Sequence, residues 1–410
     1  MFTRRVAWRS LAAVGVVSLA LSGCSGGDSS DGGDDDGLKI GTILPQTGSL
    51  AFLGPPEFAG VDLAIKEINE AGGVLGKDVE VTHKDSGDTS TDIATQSADD
   101  LINAETDVII GAASSGVSFQ FMEKLHNAQI IQISPANTSP DFTNDPKADY
   151  YYRTAPSDII QGRVLADTMV GDGAASIGII ALQDSYGTGL ADELEKNVTE
   201  LGGEVVAKEI YDPKASEFSA EISKLKSADP DAIAIISFEE FTTLAPAMDE
   251  AGLGASDVPW YLVDGNLSNY GDTLPEGLLV GAKGTKPAVD VADEFQERLL
   301  SIDGELNDFT YSAESYDATI IAALAAQAAG SSSPNDLQKE LVNVTRDGEK
   351  CTDFAGCKKL LEDGKDIDYD GMSGPIDWTP EGDISKGSIG VYEYGDDNNY
   401  TPLDFIEGEL

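Results

Sequence analysis

Short apolar runs alternate along this chain with longer segments whose apolar residues recur at helical spacing. The first run covers 39–44, and segment 57–71 then carries apolar residues every three to four positions from Phe58 to Ile68 before it ends at Gly72-Gly73. The pattern continues with predicted strands at 79–81, 107–111 and 130–133 and predicted helices at 90–104 and 115–127. Strands that alternate with helices in this way predict an α/β domain with a parallel sheet.

The same pattern starts again in the middle of the chain. A strand at 176–182 is followed by a helix that carries Leu190 and Leu194, then by Gly202-Gly203 and a strand at 204–210. Helices at 216–228 and 240–251 and strands at 231–236 and 259–263 complete this half. The helix, Gly-Gly, strand order therefore occurs twice, which predicts two similar doubly wound lobes rather than one large core.

The last hundred residues are expected to be shared between the two lobes. Helices at 288–300 and 310–330 should cover the first lobe, and short strands at 372–378 and 388–394 should return to the second. The predicted lobes are 38–157 plus 286–368 and 158–285 plus 369–410, with three chain crossings between them. Several crossings make a hinge, and a hinge between two α/β lobes suits closure around a small ligand.

The first 24 residues have the pattern of a bacterial lipoprotein export signal. Basic residues at 4, 5 and 9 precede an apolar stretch at 11–21 and the box Leu21-Ser22-Gly23-Cys24. This stretch is too short to span a bilayer, so we expect a signal peptide at 1–23, a lipid on Cys24 and an acidic, flexible linker at 24–37. An ordinary secretory leader is the alternative, and the route of export, Sec or Tat, stays open.

The charge balance limits the partners. The chain has 73 acidic and 26 basic residues, a formal net charge of −47. This excess excludes a nucleic-acid partner and disfavours spontaneous adhesion to an anionic membrane. A solvated acidic surface explains it more simply than attraction of cationic ligands does, because the acids are spread along the chain.

Besides Cys24 the sequence has two cysteines, Cys351 and Cys357, in a polar stretch that reads as a loop. In an exported protein this spacing predicts a disulfide. Two free thiols are the alternative. A zinc site is disfavoured because the two histidines, His83 and His126, are far away in the sequence.

Polar residues follow several of the predicted strands. Segments 111–117 and 134–140 are rich in serine and threonine, and the first of them opens a helix. Hydroxyls and free backbone N–H groups at a helix start form an anion site, although plain N-capping by Ser114 or Ser115 explains the first segment alone. In the second lobe Tyr186 and Asp264 follow strands, so a carboxylate there could pair with a ligand ammonium.

Taken together, the lipobox and seven further segments resemble the branched-chain amino-acid-binding family of ABC-importer substrate-binding lipoproteins, which has the type I periplasmic-binding-protein fold. Those segments are 40–48, 60–73, 111–115, 134–138 with 152–154, 184–187 and 371–375. The resemblance extends from about Leu38 to Tyr394. It implies a monomeric receptor without cofactor that closes on an amino acid and delivers it to a membrane permease.

The resemblance also implies roles for individual residues. Ser115 and Thr138, with main-chain help from Ala113 and Ala136, would hold the ligand carboxylate. Asp264, with Tyr186 nearby, would hold the amino group. Leu53, Phe238 and Glu239 would line the side-chain pocket, but the sequence departs from the family pattern at these positions. Asp158 and Gln161 lie near the first crossing, where they would latch the lobes.

Three alternatives remain at this stage. The ligand could be an amide, a urea-like solute or an aromatic acid rather than an amino acid. An exported hydrolase is disfavoured because the sequence has no Gly-x-Ser-x-Gly, Walker or His-Glu-x-x-His motif, and a sensory ectodomain would need a membrane helix or a partner.

The acidic segment 366–377 has calcium-loop spacing but lacks the bidentate glutamate, so we expect a closing strand there instead.

Overall fold

The computed structural model describes residues 37–271, 273–289 and 292–410. Cys24 and the predicted signal peptide and linker up to residue 36 lie outside the described residues. In the described part no helix is both long enough and apolar enough to cross a membrane.

The elements alternate as the sequence predicts, and the two halves each build one sheet. The strands are β1 (Lys39–Leu44), β2 (Glu80–Asp85), β3 (Val108–Gly111), β4 (Ile131–Ser134), β5 (Tyr151–Arg153), β6 (Ser176–Leu182), β7 (Glu204–Tyr211), β8 (Ala232–Ile236), β9 (Trp260–Val263), β10 (Lys283–Pro287), β11 (Glu349–Cys351), β12 (Ile367–Gly371), β13 (Gly374–Pro375), β14 (Lys386–Tyr394) and β15 (Tyr400–Glu409). The helices are α1 (Gly54–Glu70), α2 (Ile93–Asn103), α3 (Ser115–Ala128), α4 (Asp158–Gly171), α5 (Ser185–Glu200), α6 (Ser219–Ala228), α7 (Phe241–Glu250), α8 (Asp293–Leu300), α9 (Ser312–Ala329), α10 (Pro334–Leu341) and α11 (Phe354–Glu362).

The first sheet has five strands in the order β2-β1-β3-β4-β5, and all of its pairs are parallel. The second has seven strands in the order β15-β14-β10-β9-β8-β6-β7, in which β14 and β15 run antiparallel to their neighbours. In the first sheet Ile110 of β3 pairs with Ile133 of β4. This register brings the loops that follow the two strands to the same edge.

The chain passes between the two sheets three times. It enters the seven-stranded sheet after β5 and leaves it after β10, and helices α8 to α11 then pack in the same buried cluster as β1. The chain returns to the seven-stranded sheet at β14. The α/β class with two mainly parallel sheets is therefore confirmed, and the residue boundaries proposed for the lobes stay a prediction.

Local chemistry accounts for the main element ends. Prolines occupy the first turn of α1, where a missing N–H costs nothing, and positive-φ glycines at 72 and 73 follow its end. Asp184 caps α5 by accepting a hydrogen bond from the backbone N–H of Gly187 at 2.7 Å. Strand β6 is apolar along most of its length and buried, as a central parallel strand should be.

Two details of the predicted carboxyl-terminal region are wrong. The strand expected at 372–378 does not join the second sheet: β13 pairs with β12 in a separate three-stranded sheet, and Ile376 and Trp378 lie in the buried cluster of β1 and α9. The cysteine segment is not a loop, because Cys351 ends β11 and Cys357 lies buried within α11. The disulfide between Cys351 and Cys357 is present as predicted.

Candidate functional site

The loops after β3 and β4 are held together by buried polar side chains. The Ser134 hydroxyl donates to the Ala112 carbonyl at 2.7 Å and accepts from the backbone N–H of Asn137 at 2.9 Å. The Asn137 amide donates to the carbonyls of Ala112 and Ala113 at 3.0 and 2.8 Å. These bonds fix the backbone that carries the predicted anion-binding residues.

The structure places the predicted anion-binding residues on these two loops. Ser115 is buried at the first position of α3, and its hydroxyl accepts a hydrogen bond from the backbone N–H of Ser139 at 3.3 Å. Ser115, Ala113 and Ala136 line one enclosed cavity. Thr138 is buried beside that wall, and its hydroxyl has no hydrogen-bond partner among the described residues. Ser114 is an N-cap, since its hydroxyl accepts a hydrogen bond from the backbone N–H of Val117 at 3.3 Å at the start of α3.

Asp264 lies on the opposite wall of the cavity, directly after β9. Its carboxylate accepts hydrogen bonds from the Tyr186 hydroxyl at 2.7 Å, the Gln161 amide at 2.9 Å and the Tyr311 hydroxyl at 2.9 Å. These donors come from α5, α4 and the residue before α9. Burial raises the pKa of Asp264, although the three hydrogen bonds act in the opposite direction.

A second carboxylate, Asp158, is buried near Asp264. Neither of its oxygens accepts a hydrogen bond of good geometry from the described residues, although the Thr138 hydroxyl lies close enough to lower the Asp158 pKa. Burial, and then the charge of Asp264, raise the pKa of Asp158 well above its ordinary value. Burial disfavours the charged forms of both carboxylates, Arg153 offsets part of this effect at Asp158, and a bound ammonium would offset more of it.

The remaining walls of the cavity are mostly apolar. Leu50 and Leu53 contribute from the loop before α1, and Phe238 stacks on Tyr186 with ring centres 5.4 Å apart. The cavity volume is about 10 Å³, which has room for about one water molecule. Sites for small ligands usually enclose 300 Å³ or more, so an amino acid can enter only if the walls move apart.

A groove of about 790 Å³ is larger than this cavity. Its walls include Gly116, Phe119, Pro140 and Asp184. Asp184 is committed to capping α5, and burial raises its pKa to about 6. None of the residues predicted to hold the ligand lines the groove, whereas the smaller cavity brings Ala113, Ser115, Ala136, Tyr186 and Asp264 together, so the smaller cavity is the candidate site.

Some predicted residues lie elsewhere or act differently. Glu239 is exposed and does not line the cavity, because the chain turns outward after Phe238. Gln161, which was expected to latch the lobes, donates to both Asp264 and the Thr285 carbonyl. Tyr311 was not predicted: it lies 47 positions from Asp264 in sequence, and no local motif marks it.

The acidic segment 366–377 uses its carboxylates in local contacts. The Lys350 ammonium lies 2.9 Å from Asp368 and 2.8 Å from Asp370, and Asp377 accepts from the Ser385 hydroxyl at 2.9 Å. Across the described ranges no group of three or more His, Cys, Asp or Glu side chains could hold a metal ion. Segment 367–371 is strand β12 of the three-stranded sheet.

Comparisons with known proteins agree with this architecture. The family model described as periplasmic binding protein matches residues 37–383. The Leu/Ile/Val-binding protein homolog 1 of Brucella abortus (strain 2308) is 30% identical over 314 residues, which cover 74% of this chain and 82% of that relative.

Two solved structures share the fold. The substrate-binding protein LivJ of Streptococcus pneumoniae, in complex with isoleucine, has a TM-score of 0.72 at 21% identity and covers 91% of this chain and 100% of its own. A solute-binding protein of an ABC transporter from Rhodopseudomonas palustris BisB5, in complex with 3,4-dihydroxybenzoic acid, has a TM-score of 0.72 at 19% identity. The match covers 92% of this chain and 98% of that chain.

Proposed function

This chain belongs to the periplasmic binding protein family, whose members are non-enzymatic receptors, and from that premise we propose that it is the substrate-binding component of an ABC importer for branched-chain amino acids. The two lobes would close around the amino acid and deliver it to a membrane permease. The observation that carries this proposal is the cavity that brings the buried Ser115 hydroxyl and the buried Asp264 carboxylate together, with Thr138 and Asp158 buried close by.

The hydroxyl-rich wall suits the carboxylate of the amino acid. Ser115 is at the amino terminus of α3, where the helix dipole favours an anion. The Thr138 hydroxyl is buried beside Asp158 and would turn to donate to the ligand carboxylate. The backbone N–H of Ala113 would complete this end of the site, while that of Ala136 donates to the Ser134 hydroxyl at 3.3 Å and would have to exchange that partner for the ligand.

The opposite wall suits the ammonium. Asp264 would accept one of its N–H bonds, while Tyr186 and Tyr311 hold the Asp264 carboxylate in place. Asp158 would accept another, since it is buried close to Asp264. We therefore propose Asp158 as a ligand contact rather than a latch.

The class of ligand follows from the walls and from the relatives. Leu50, Leu53 and Phe238 form an apolar surface that suits an aliphatic side chain. The Brucella relative is named for leucine, isoleucine and valine, and the Streptococcus structure holds isoleucine. Aromatic acids, amides and urea-like solutes are the alternatives; all of them would leave Asp158 and Asp264 without a cation.

We further propose that the protein acts outside the cytoplasm, attached to the membrane by a lipid on Cys24. The sequence pattern before Cys24 supports this anchor. Replacing Cys24 by alanine should move the protein from the membrane fraction of cells to the soluble fraction. Retention in the membrane fraction would contradict the anchor and leave the ligand proposal intact.

A thermal-shift screen of the purified protein tests the ligand class. The compounds are the twenty amino acids, urea, short amides and aromatic acids. A ligand at 100 times its dissociation constant stabilises the folded state by about 2.7 kcal/mol, so a tight ligand gives a clear shift. We expect shifts confined to aliphatic amino acids; a shift with aromatic acids alone would contradict the amino-acid proposal.

A further inference from the structure

A buried arginine lies at the end of β5, beside the loop that carries Thr138. The side chain of Arg153 has no exposed surface, although a guanidinium is costly to remove from water. Such a charge stays inside a fold only when a counter-charge and hydrogen-bond acceptors satisfy it. The partners of Arg153 therefore indicate what this residue contributes.

The Arg153 guanidinium holds the backbone of this loop. Its Nη1 donates to the main-chain carbonyls of Ser139 at 2.8 Å and Asn137 at 3.3 Å, the residues on either side of Thr138. The carbonyl of Thr138 itself accepts from the backbone N–H of Asp158 at 2.8 Å. Three consecutive carbonyls are thus hydrogen-bonded, which fixes the backbone from which the Thr138 side chain projects.

The same guanidinium binds a segment that is far away in the sequence. Its Nε donates to Oδ1 of Asp383 at 2.6 Å, and both side chains are buried. Asp383 lies between β13 and β14, where the chain returns to the seven-stranded sheet. The backbone N–H of Arg153 also donates to the Gly382 carbonyl at 3.0 Å, and the Trp378 indole donates to the Arg153 carbonyl at 2.6 Å. Arg153 therefore joins the loop of Thr138 to this crossing segment.

The charge of Arg153 also acts on the ligand site. Burial and the charge of Asp264 raise the pKa of Asp158, and the charge of Arg153 lowers it. An arginine presents five N–H donors in a fixed plane, so it can bind the loop carbonyls and the Asp383 carboxylate at once. A lysine has the same charge but cannot span the same set of partners. A change of Arg153 to lysine therefore alters the geometry of these contacts and keeps the charge.

We propose that Arg153, held by Asp383, is a positioning residue of the ligand site. Neither residue lines the cavity. Arg153 sets the backbone of the loop 137–139 so that the Thr138 hydroxyl meets the ligand carboxylate. This inference rests on the proposed function, since it assigns Arg153 a task at the carboxylate end of the amino-acid site. Because Asp383 belongs to a crossing segment, the position of Thr138 depends on the position of that segment.

Isothermal titration with L-leucine and L-leucinamide tests this role. Leucinamide keeps the ammonium and the side chain of leucine but lacks the carboxylate. We expect Arg153→Lys to raise the Kd for leucine by about tenfold or more and to change the Kd for leucinamide by less than about threefold. Arg163→Lys makes the same chemical change at an exposed position of α4 and should bind both ligands like the wild type. An unchanged Kd for leucine, or an equal loss for both ligands, overturns the positioning role.

A double-mutant cycle tests whether Arg153 acts through Thr138. Thr138→Ala should raise the Kd for leucine by a smaller factor in the Arg153→Lys background than in the wild type, because the hydroxyl is already displaced. Equal factors in both backgrounds overturn the proposal. Circular dichroism checks the fold of each variant. If Arg153→Lys does not fold, Arg153→Met combined with Asp383→Leu takes its place, since removing both charges leaves neither uncompensated. Absence of leucine binding by the wild type contradicts the proposed function instead.

Discussion

Replacing Asp264 by asparagine should weaken leucine binding strongly while leaving the fold intact. The Asp264 carboxylate accepts three hydrogen bonds, from Tyr186 and Gln161 on one oxygen and from Tyr311 on the other. The asparagine carbonyl can keep the first two, and the new NH₂ group can donate to the Tyr311 hydroxyl, which accepts as well as donates. The main loss is the charge that faces the ligand ammonium.

The size of the loss follows from this geometry. Truncating one partner of a buried, hydrogen-bonded charge pair costs about 2–5 kcal/mol of binding free energy. Because Asp158 remains as a second carboxylate, we expect Asp264→Asn to cost about 2–4 kcal/mol of the free energy of leucine binding. At 1.4 kcal/mol for each factor of ten, this is a rise in Kd of roughly 30- to 700-fold.

Isothermal titration of leucine into both proteins measures the change. Asp167→Asn is the matched control: it makes the same chemical change at an exposed position of α4 and should bind like the wild type. A Kd for Asp264→Asn within about threefold of the wild type, less than 1 kcal/mol, would refute the role of Asp264 as the ammonium partner.

Three further predictions follow. Ser115→Ala combined with Thr138→Ala should abolish leucine binding in the same titration, because the carboxylate loses both hydroxyl donors; full affinity would move the site elsewhere. The ligand-free protein should lose stability in urea as the pH rises from about 4.5 to about 8. Burial raises the Glu314 pKa from 4.5 to about 8, so over this range the folded state keeps a proton that the unfolded chain releases. Glu314→Gln should flatten this dependence, and a stability that rises with pH over this range would contradict the prediction. Reducing the disulfide between Cys351 and Cys357, which are six positions apart, should lower the free energy of unfolding by about 2 kcal/mol, because the disulfide closes only a short loop of the unfolded chain. The affinity for leucine should not change. An unchanged urea midpoint after reduction would contradict this prediction.

Much of the fold could be predicted because its sheets are built from parallel strands buried on both faces. Strand β6 is apolar and buried after Ser176, and the predicted and observed bounds at 176–182 coincide. The repeated Gly-Gly after α1 and α5 marks the end of a helix in each lobe. Such local signals do not depend on the rest of the chain.

Helix α4 was missed because it gives no such local signal. Arg163 and Asp167 lie on its exposed face, but its buried faces include the polar Asp158 and Gln161, so the sequence lacks the separate polar and apolar faces of a surface helix. Gln161 turns inward to donate to Asp264 and to the Thr285 carbonyl. The segment at 372–378 was misplaced for a related reason, since its partners are set by tertiary packing.

The candidate site could be predicted only where strand ends supply its residues. Ser115 and Asp264 follow strands, and the topology brings strand ends to one edge. Tyr311 reaches the site from a different part of the chain, with a backbone φ of 60° just before α9. Periodicity reports which side chains are buried but not which distant ones meet.

A crystal structure of the protein grown with leucine tests the central claim most directly. The account predicts leucine in the cavity between the two sheets, with its ammonium within hydrogen-bond distance of Asp264 and Asp158 and its carboxylate at Ser115 and Thr138. Leucine bound in the reverse orientation, or absent from this cavity at saturating concentration, would contradict it.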